Sequence, residues 1–400
     1  MRPRFSITVA IVGGCVLWVS LHARQGPPGA MPTLADDLAF LRAHGAIETL
    51  SAPGGGQIVL SAGYQGRVMT SAVSPDHMSL GWVNRAFISA GKTGTPFDNY
   101  GGEDRFWLGP EAGQYGLYFP AGAPFELASW KVPPILQEGA WSIRESSATQ
   151  VSYTHAIALP NYSGTAFQLR VDRIVRPLTR DAVARHFGVP LPDGVRWVGF
   201  ETLNTVTNTG RAPWVKDRGL LSIWILGMFN ALEGTTVIVP FRQASGDVVN
   251  DRYFGNVPPD RLQVRDRYLL FAADGRFRSK IGIGPAHATS VLGSYSPRAQ
   301  ALTLVHFDRP ANRTEYVNSL WERQSDPYGG DVVNSYNDGP PNPGGFYELE
   351  SSSPALALAP GDAYTHVHRT LHIVGATSAL DPIASRALGV PALLSKLPSR

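Results

Sequence analysis

From Gln57 onward the chain is written in short runs of β-branched and aromatic residues, each closed by Gly, Pro, Asn or Asp. Runs of this kind between turn formers read as strands. Clear cases are Gln57–Leu60, Gln150–Ile157, Gln168–Ile174, Trp197–Val206, Leu221–Leu226, Thr235–Pro240, Tyr268–Ala272 and Gln300–Phe307, with Tyr115–Phe119 a shorter one. Gly345–Glu350 and Ala363–Val374 continue the pattern toward the C-terminus. Helical patterns are few. Ala35–His44 carries Asp36 and Asp37 in its first turn and Gly45 past its end, and Thr179–Phe187, Val317–Gln324 and Asp381–Leu388 are short. Many strands without alternating helices predict packed antiparallel sheets. No fixed-period repeat and no linker divides residues 50–375. The expected fold is all-β: one large antiparallel sandwich over residues 50–376 with a few short helices, a linker and short helix over 24–49, and a C-terminal tail over 377–400.

Composition narrows this further. The chain has 400 residues, 43% of them hydrophobic, 10% aromatic and only 17% charged, which excludes disorder as its main state. Its formal charge of +3 comes from 35 basic against 32 acidic residues with no Lys/Arg run, so nucleic acid is not an expected partner. The single cysteine, Cys15, excludes a disulfide scaffold and a cysteine-based zinc site.

Cys15 lies within the N-terminal segment, where Arg2 and Arg4 precede an apolar stretch from Phe5 to Leu21 and then His22-Ala23-Arg24. A basic start, an apolar core and a small residue at the exit describe a signal peptide over residues 1–23, cleaved after Ala23, which predicts a periplasmic or secreted protein. The same stretch also reads as an uncleaved anchor or, through Val12-Gly13-Gly14-Cys15, as a lipoprotein box. No later segment is long and apolar enough to span a bilayer, so no membrane contact is expected beyond this one.

Three segments concentrate chemistry. Tyr100-Gly101-Gly102-Glu103-Asp104-Arg105-Phe106-Trp107 runs on to Glu111. Gly-Gly permits close backbone approach, and the acidic residues, arginine and tryptophan beyond it suit a sugar, which presents apolar C–H faces and hydroxyls together. The alternative is a turn with an internal Arg105–Glu111 or Asp104–Arg105 ion pair and Trp107 in the core. The second segment runs from Asn337 through a Pro/Gly loop to Glu348 and Glu350, which share a face if the segment is a strand. Two carboxylates facing one way raise each other's pKa, which general acid–base work requires, although an acidic solvent face gives the same pattern. In the third segment, His366, His368 and His372 fall on one strand face. Paired as a hairpin with the glutamate strand, they would bring histidines and carboxylates together in a set able to hold zinc, manganese or iron.

Lys280 stands in an apolar strand-like stretch, where it can meet an acidic group or extend its amine from a sheet face. Trp130, Trp141, Trp197, Trp214, Trp224 and Trp321 are read as core. The absence of a Walker loop, a Gly-x-Ser-x-Gly elbow and a His-Glu-x-x-His motif removes the commonest nucleotide, esterase and zincin readings, and no cofactor is expected.

Together these motifs resemble the galactose mutarotase (aldose 1-epimerase) superfamily, and within it an exported bacterial branch. Asn84-Arg85 resembles its early Asn-Arg motif, and Gly101-Gly102 through Trp107 resembles its sugar-binding turn. Glu350 with the downstream Leu358-Ala359-Pro360-Gly361-Asp362 resembles the stretch carrying its catalytic glutamate. The resemblance implies a β-supersandwich, with Glu350 as the base and Glu348 beside it. The family's mid-chain histidine acid has no counterpart, since no histidine lies between His186 and His287. A proton would then come from Lys280, His366 or His368.

The expected site is thus a saccharide groove lined by Arg85, Glu103, Arg105, Trp107, Glu111, Lys280 and Asn337, with Glu350, Glu348 and His366 as catalytic candidates. The chemistry is epimerisation or glycosidic bond cleavage. The alternatives are a non-catalytic sugar-binding protein and a metal-dependent sandwich using His366 and His368. Oligomeric state is not legible.

Overall fold

The computed structural model describes residues 31–340 and 345–397. The expected signal segment, residues 1–23, lies outside the described residues, as do linker residues 24–30.

The described chain opens with helix α1 (Leu34–His44). Thr33 caps it by accepting from the Asp36 amide, while the Asp36 side chain accepts from the Thr33 amide. This reciprocal box satisfies two otherwise orphaned donors. Strands β1 (Glu48–Ser51), β2 (Gln57–Ser61) and β3 (Arg67–Ala72) form a three-stranded antiparallel meander, and α2 (Arg85–Ala90) follows. Next come β4 (Arg105–Gly109), α3 (Pro134–Gln137), β5 (Ser142–Ser146), β6 (Val151–Pro160), β7 (Ala166–Pro177), α4 (Arg180–Phe187) and β8 (Arg196–Asn208). The middle of the chain supplies β9 (Ser222–Asn230), β10 (Thr236–Pro240), β11 (Leu262–Val264), β12 (Tyr268–Ala272) and β13 (Ser279–Ile283). It closes with β14 (Val291–Ser296), β15 (Ala301–Phe307), β16 (Val333–Asn337), β17 (Phe346–Ser352), β18 (Ala363–Val374) and α5 (Thr377–Leu388).

Two antiparallel sheets carry the domain. One has ten strands in the order β11-β12-β10-β14-β15-β18-β8-β7-β6-β5, and the other has five in the order β13-β16-β17-β9-β4. The fold is the expected all-β architecture. The sheets face each other: Phe229 of β9 and Tyr347 and Leu349 of β17 share an apolar cluster with Val237, Phe271, Leu292 and Val305 of the larger sheet. Fully buried side chains of this kind each contribute about 1.5–3 kcal/mol relative to exposure. The outer face of the larger sheet is covered by α4 and α5, whose Val183, Phe187, Ile383 and Leu388 pack with Leu302, Leu371 and Ile373. The C-terminal segment carries the expected short helix, begun at Thr377 and packed on the sheet, and is continued by buried Leu393 and Leu394.

Three local expectations need correction. The histidine strand β18 does not pair with β17; it lies between β15 and β8 in the larger sheet, while β17 lies between β16 and β9 in the smaller one. The connection between them is pinned, with Leu356 bridged to Leu221 and the Leu358 carbonyl accepting from Trp214 and Asn208, so the chain crosses from one sheet to the other. Val317–Gln324 forms no helix, because Asn318 and Gln324 side chains bond local backbone groups and hold it as irregular chain. Tyr115–Phe119 is likewise a turn, closed by the Gly116 amide donating to the Gly113 carbonyl.

Candidate functional site

The smaller sheet has one face toward the sandwich interior and one toward a cleft. On β17 the alternation is strict: Tyr347, Leu349 and Ser351 point inward, and Phe346 and Glu348 line the cleft with Glu350 in its floor. Antiparallel registers then place Lys280, Tyr336, Glu348 and Met228 abreast in one row across four strands, and Asn334, Glu350, Leu226 and Arg105 in the next. Residues distant in sequence become neighbours because each strand keeps its period of two.

Loops rising from this face enclose a cavity of about 490 Å³. Its wall is an unbroken chain of nine aromatic rings. Trp82 stacks on Phe346 with centroids 4.7 Å apart, and Phe346 meets Tyr336 at 5.8 Å. Phe254 joins Tyr336 at 5.9 Å to Trp321 at 5.8 Å. Trp130 lies nearly parallel to Trp321 at 6.4 Å, and Phe97 links Trp130 at 5.9 Å to Trp107 at 5.5 Å. Trp107 then meets Trp224 at 5.7 Å. The Gly-Gly turn sets one end of this wall: Gly101 has φ +84°, and a Cβ there would lie 2.2 Å from the Trp82 carbonyl oxygen. The Gly102 amide donates to that same carbonyl at 2.8 Å. No larger residue permits this approach.

The floor is ionic. Arg105 donates to Glu348 Oε1 at 2.8 Å, with its guanidinium 4.0 Å from the Trp107 ring centroid. Lys280 Nζ donates to Glu350 Oε2 at 3.1 Å and sits 4.6 Å from the Trp224 centroid. The Trp224 indole donates to the same Glu350 oxygen at 2.8 Å. Glu111 accepts from the Trp130 indole at 2.8 Å. Burial pushes the Glu348 carboxyl up to about 7; Arg105 opposes the rise and Glu350 adds to it. Burial also raises Glu111, against the pull of Lys280. For Lys280, burial favours the neutral amine, yet the combined field of Glu350, Glu111 and Glu348 prevails and its pKa rises. The floor therefore holds a fixed ammonium beside a carboxyl that exchanges its proton near neutrality.

Five expected site residues line this cavity: Arg105, Trp107, Glu111, Lys280 and Glu348. Glu350, the expected base, lies beneath them with no exposed surface, held by Lys280 and Trp224; Glu348 is the glutamate that faces the cavity. Four fall elsewhere. Arg85 turns to α1 and pairs with Asp37 at 2.7 Å. Glu103 is buried in the sandwich 3.4 Å from His372. Asn337 ties down a turn, donating to the Phe277 carbonyl and accepting from the Gly275 amide. His366 sits between the sheets, where its Nε2 and the Nδ1 of His368 both lie 2.8 Å from Ser351 Oγ.

Burial, reinforced for His366 by its neighbour His368, lowers both imidazoles to about 3. They face Ser351, on the side of β17 away from Glu348 and Glu350, so the histidines and those carboxylates do not converge. Among the described residues no cluster of three or more His, Cys, Asp or Glu is arranged to hold a metal ion. Neither internal ion pair of the alternative reading of the Gly-Gly segment forms: Asp104 pairs with Arg173 at 2.6 Å, and Arg105 with Glu348.

Sequence reading missed most of the wall. Trp130, Trp224 and Trp321, read as core, line the cavity, and Trp82, Phe97, Phe254, Tyr336 and Phe346 were not singled out. Each stands on a different loop or strand, with no common spacing to mark it. Arg278, two positions before Lys280, was also passed over.

Residues 32–394 match the family described as "Family of unknown function (DUF6786)". The chain belongs to that family. No curated protein matches it. Among solved structures, the family member is similar to a putative aldose 1-epimerase from Escherichia coli K12, with 14% identity and a TM-score of 0.48 over 82% of this chain and 98% of that one. A galactose mutarotase-like protein from Lactobacillus casei ATCC 334 matches at 11% identity and a TM-score of 0.48, covering 82% and 100%. A galactose mutarotase related enzyme from Lactobacillus acidophilus matches at 10% identity and 0.43, covering 82% and 97%.

Proposed function

We propose that this protein binds a saccharide in the aromatic cleft and performs acid–base chemistry on it of the epimerase kind, with Glu348 as the proton-transferring group. The observation that carries the reading is the continuous ring wall standing over the Arg105–Glu348 and Lys280–Glu350 pairs. Aromatic faces take the apolar C–H surfaces of a sugar ring, and the charged floor offers donors and acceptors to its hydroxyls. A carboxyl poised near 7 populates both protonation states at neutral pH, which makes it able to accept a proton and return it. Arg105 keeps its ionised form paired, while Lys280 supplies positive charge beside oxygen atoms that become negative during proton transfer. Glu350 acts through Lys280, holding the ammonium in place. The N-terminal signal-like segment supports the further proposal that this chemistry takes place outside the cytoplasm.

Glu348→Gln tests the catalytic part. Positioned acid–base groups contribute about 10²–10⁴-fold, so turnover of a bound saccharide is expected to fall by that factor while affinity is kept. Unchanged turnover would remove Glu348 from the reaction. A protein that binds sugars through the same wall and converts none is the second reading, and it is distinguished by the wild type showing affinity without turnover.

A further inference from the structure

The cleft is lined by three cations, and two of them are already paired with a carboxyl: Arg105 with Glu348 and Lys280 with Glu350. Arg278 is different. Among the described residues it makes no ion pair, although it lines the same cavity at the edge of β13, the outermost strand of the sheet. Its guanidinium carbon lies over the Phe254 ring, 3.7 Å from the centroid, and its Nε donates to the Tyr336 hydroxyl at 3.2 Å. That hydroxyl donates onward to Asp338 Oδ1 at 2.8 Å, so the buried acidic neighbour in this corner is engaged through Tyr336. The guanidinium is thus held by the ring on one side and by a hydrogen bond at Nε, while its two terminal nitrogens make no hydrogen bond or ion pair among the described residues. A planar fork held this way matches the two oxygens of a carboxylate or phosphate, a recognition that a lysine amine does not reproduce.

We infer that Arg278 is a specificity-determining residue and that the saccharide taken by the cleft carries an oxyanion substituent, which Arg278 binds at the edge of the cavity. The inference rests on the saccharide reading of the cleft and adds the charge of its substrate. The ring wall holds the sugar body, the Glu348 end performs the chemistry, and Arg278 fixes which end of the sugar lies at the edge.

Isothermal titration with glucose, glucuronate and glucose 6-phosphate tests this on the wild type and on Arg278→Gln and Arg278→Lys. The wild type is expected to bind at least one anionic sugar more tightly than glucose, and preference between glucuronate and glucose 6-phosphate identifies the oxyanion as carboxylate or phosphate. Charge-assisted bidentate bonds are strong enough that Arg278→Gln should weaken the anionic sugar by about 10- to 100-fold and leave glucose unchanged. Arg278→Lys, which keeps the charge and loses the fork, should fall between. Melting of the unliganded variants confirms that they fold. Equal affinity of Arg278→Gln and wild type for both anions overturns the assignment, as does a wild type that binds glucose as tightly as either. Binding of glucose alone overturns it while leaving the cleft reading intact, whereas binding of none of the three probes removes both.

Discussion

The two faces of β17 are built from alternate residues of one seven-residue segment, yet they solve opposite problems. On the inner face, Tyr347, Leu349 and Ser351 meet the ten-stranded sheet with neutral partners: Tyr347 shares a hydrogen bond with Ser294 at 2.6 Å, and Ser351 serves both His366 and His368. On the outer face, Glu348 and Glu350 are also buried, but each is matched to a cation. Burial is nearly equal on the two sides, so solvent exposure does not distinguish site from core. The difference lies in what burial has done to charge. It keeps the histidines neutral, while under the cleft each carboxyl stands against a cation. A buried histidine cluster therefore marks packing here, and a buried ion-pair floor beneath a cavity marks the candidate chemistry.

Removing a cation from the outer face is the strongest way to break this contrast. Lys280→Met leaves the Glu350 carboxylate buried with the Trp224 indole as its remaining donor, and a buried charge deprived of its partner costs about 3–5 kcal/mol. Chemical denaturation should show that loss, and an unchanged midpoint would mean that the Lys280–Glu350 pair adds no stability. On the inner face, Ser351→Ala strips a hydrogen-bond partner from two imidazoles at once. An unsatisfied buried polar group costs about 1–3 kcal/mol, and the same denaturation measurement should find a loss in that range with saccharide affinity preserved.

In pH dependence the two faces pull in opposite directions. His366 and His368 resist protonation when folded, so the unfolded chain binds more protons below the ordinary histidine range of about 6.5, and their contribution is lost as pH falls from there toward about 3. Glu348 holds its proton more tightly when folded, so its contribution is lost as pH rises from the ordinary 4.5 to about 7. Melting curves across that range should show wild type losing ground relative to Glu348→Gln between pH 4.5 and 7, with both sharing the histidine-driven fall in acid. Parallel curves throughout would mean that the Glu348 carboxyl titrates normally.

Much of this arrangement was legible in the residues. Period-two reasoning put Glu348 and Glu350 on one face, and the aromatic-acidic run after Gly101-Gly102 pointed to Arg105, Trp107 and Glu111. It also placed His366 and His368 together on a face. What it could not supply was the partner of that face. β17 and β18 are consecutive, which favours a hairpin, but the pinned segment between them carries the chain across to the opposite sheet. Long-range pairing is settled by the packing of whole sheets, and no local spacing encodes it. For the same reason Arg85 and Glu103, adjacent in sequence to cleft residues, belong to other environments: one side chain meets α1 and the other the sandwich core. The tryptophans were hidden by a real ambiguity, since a large apolar ring is equally at home in a core and in a wall.

That wall has an optical consequence. Trp82, Trp107, Trp130, Trp224 and Trp321 all border the cavity, and they are five of the nine tryptophans in the chain. Most of the indole chromophores therefore stand around a single chamber, close enough to exchange excitation, and whatever enters it changes the polarity around them. The protein carries its own occupancy signal, readable as ultraviolet emission without any label.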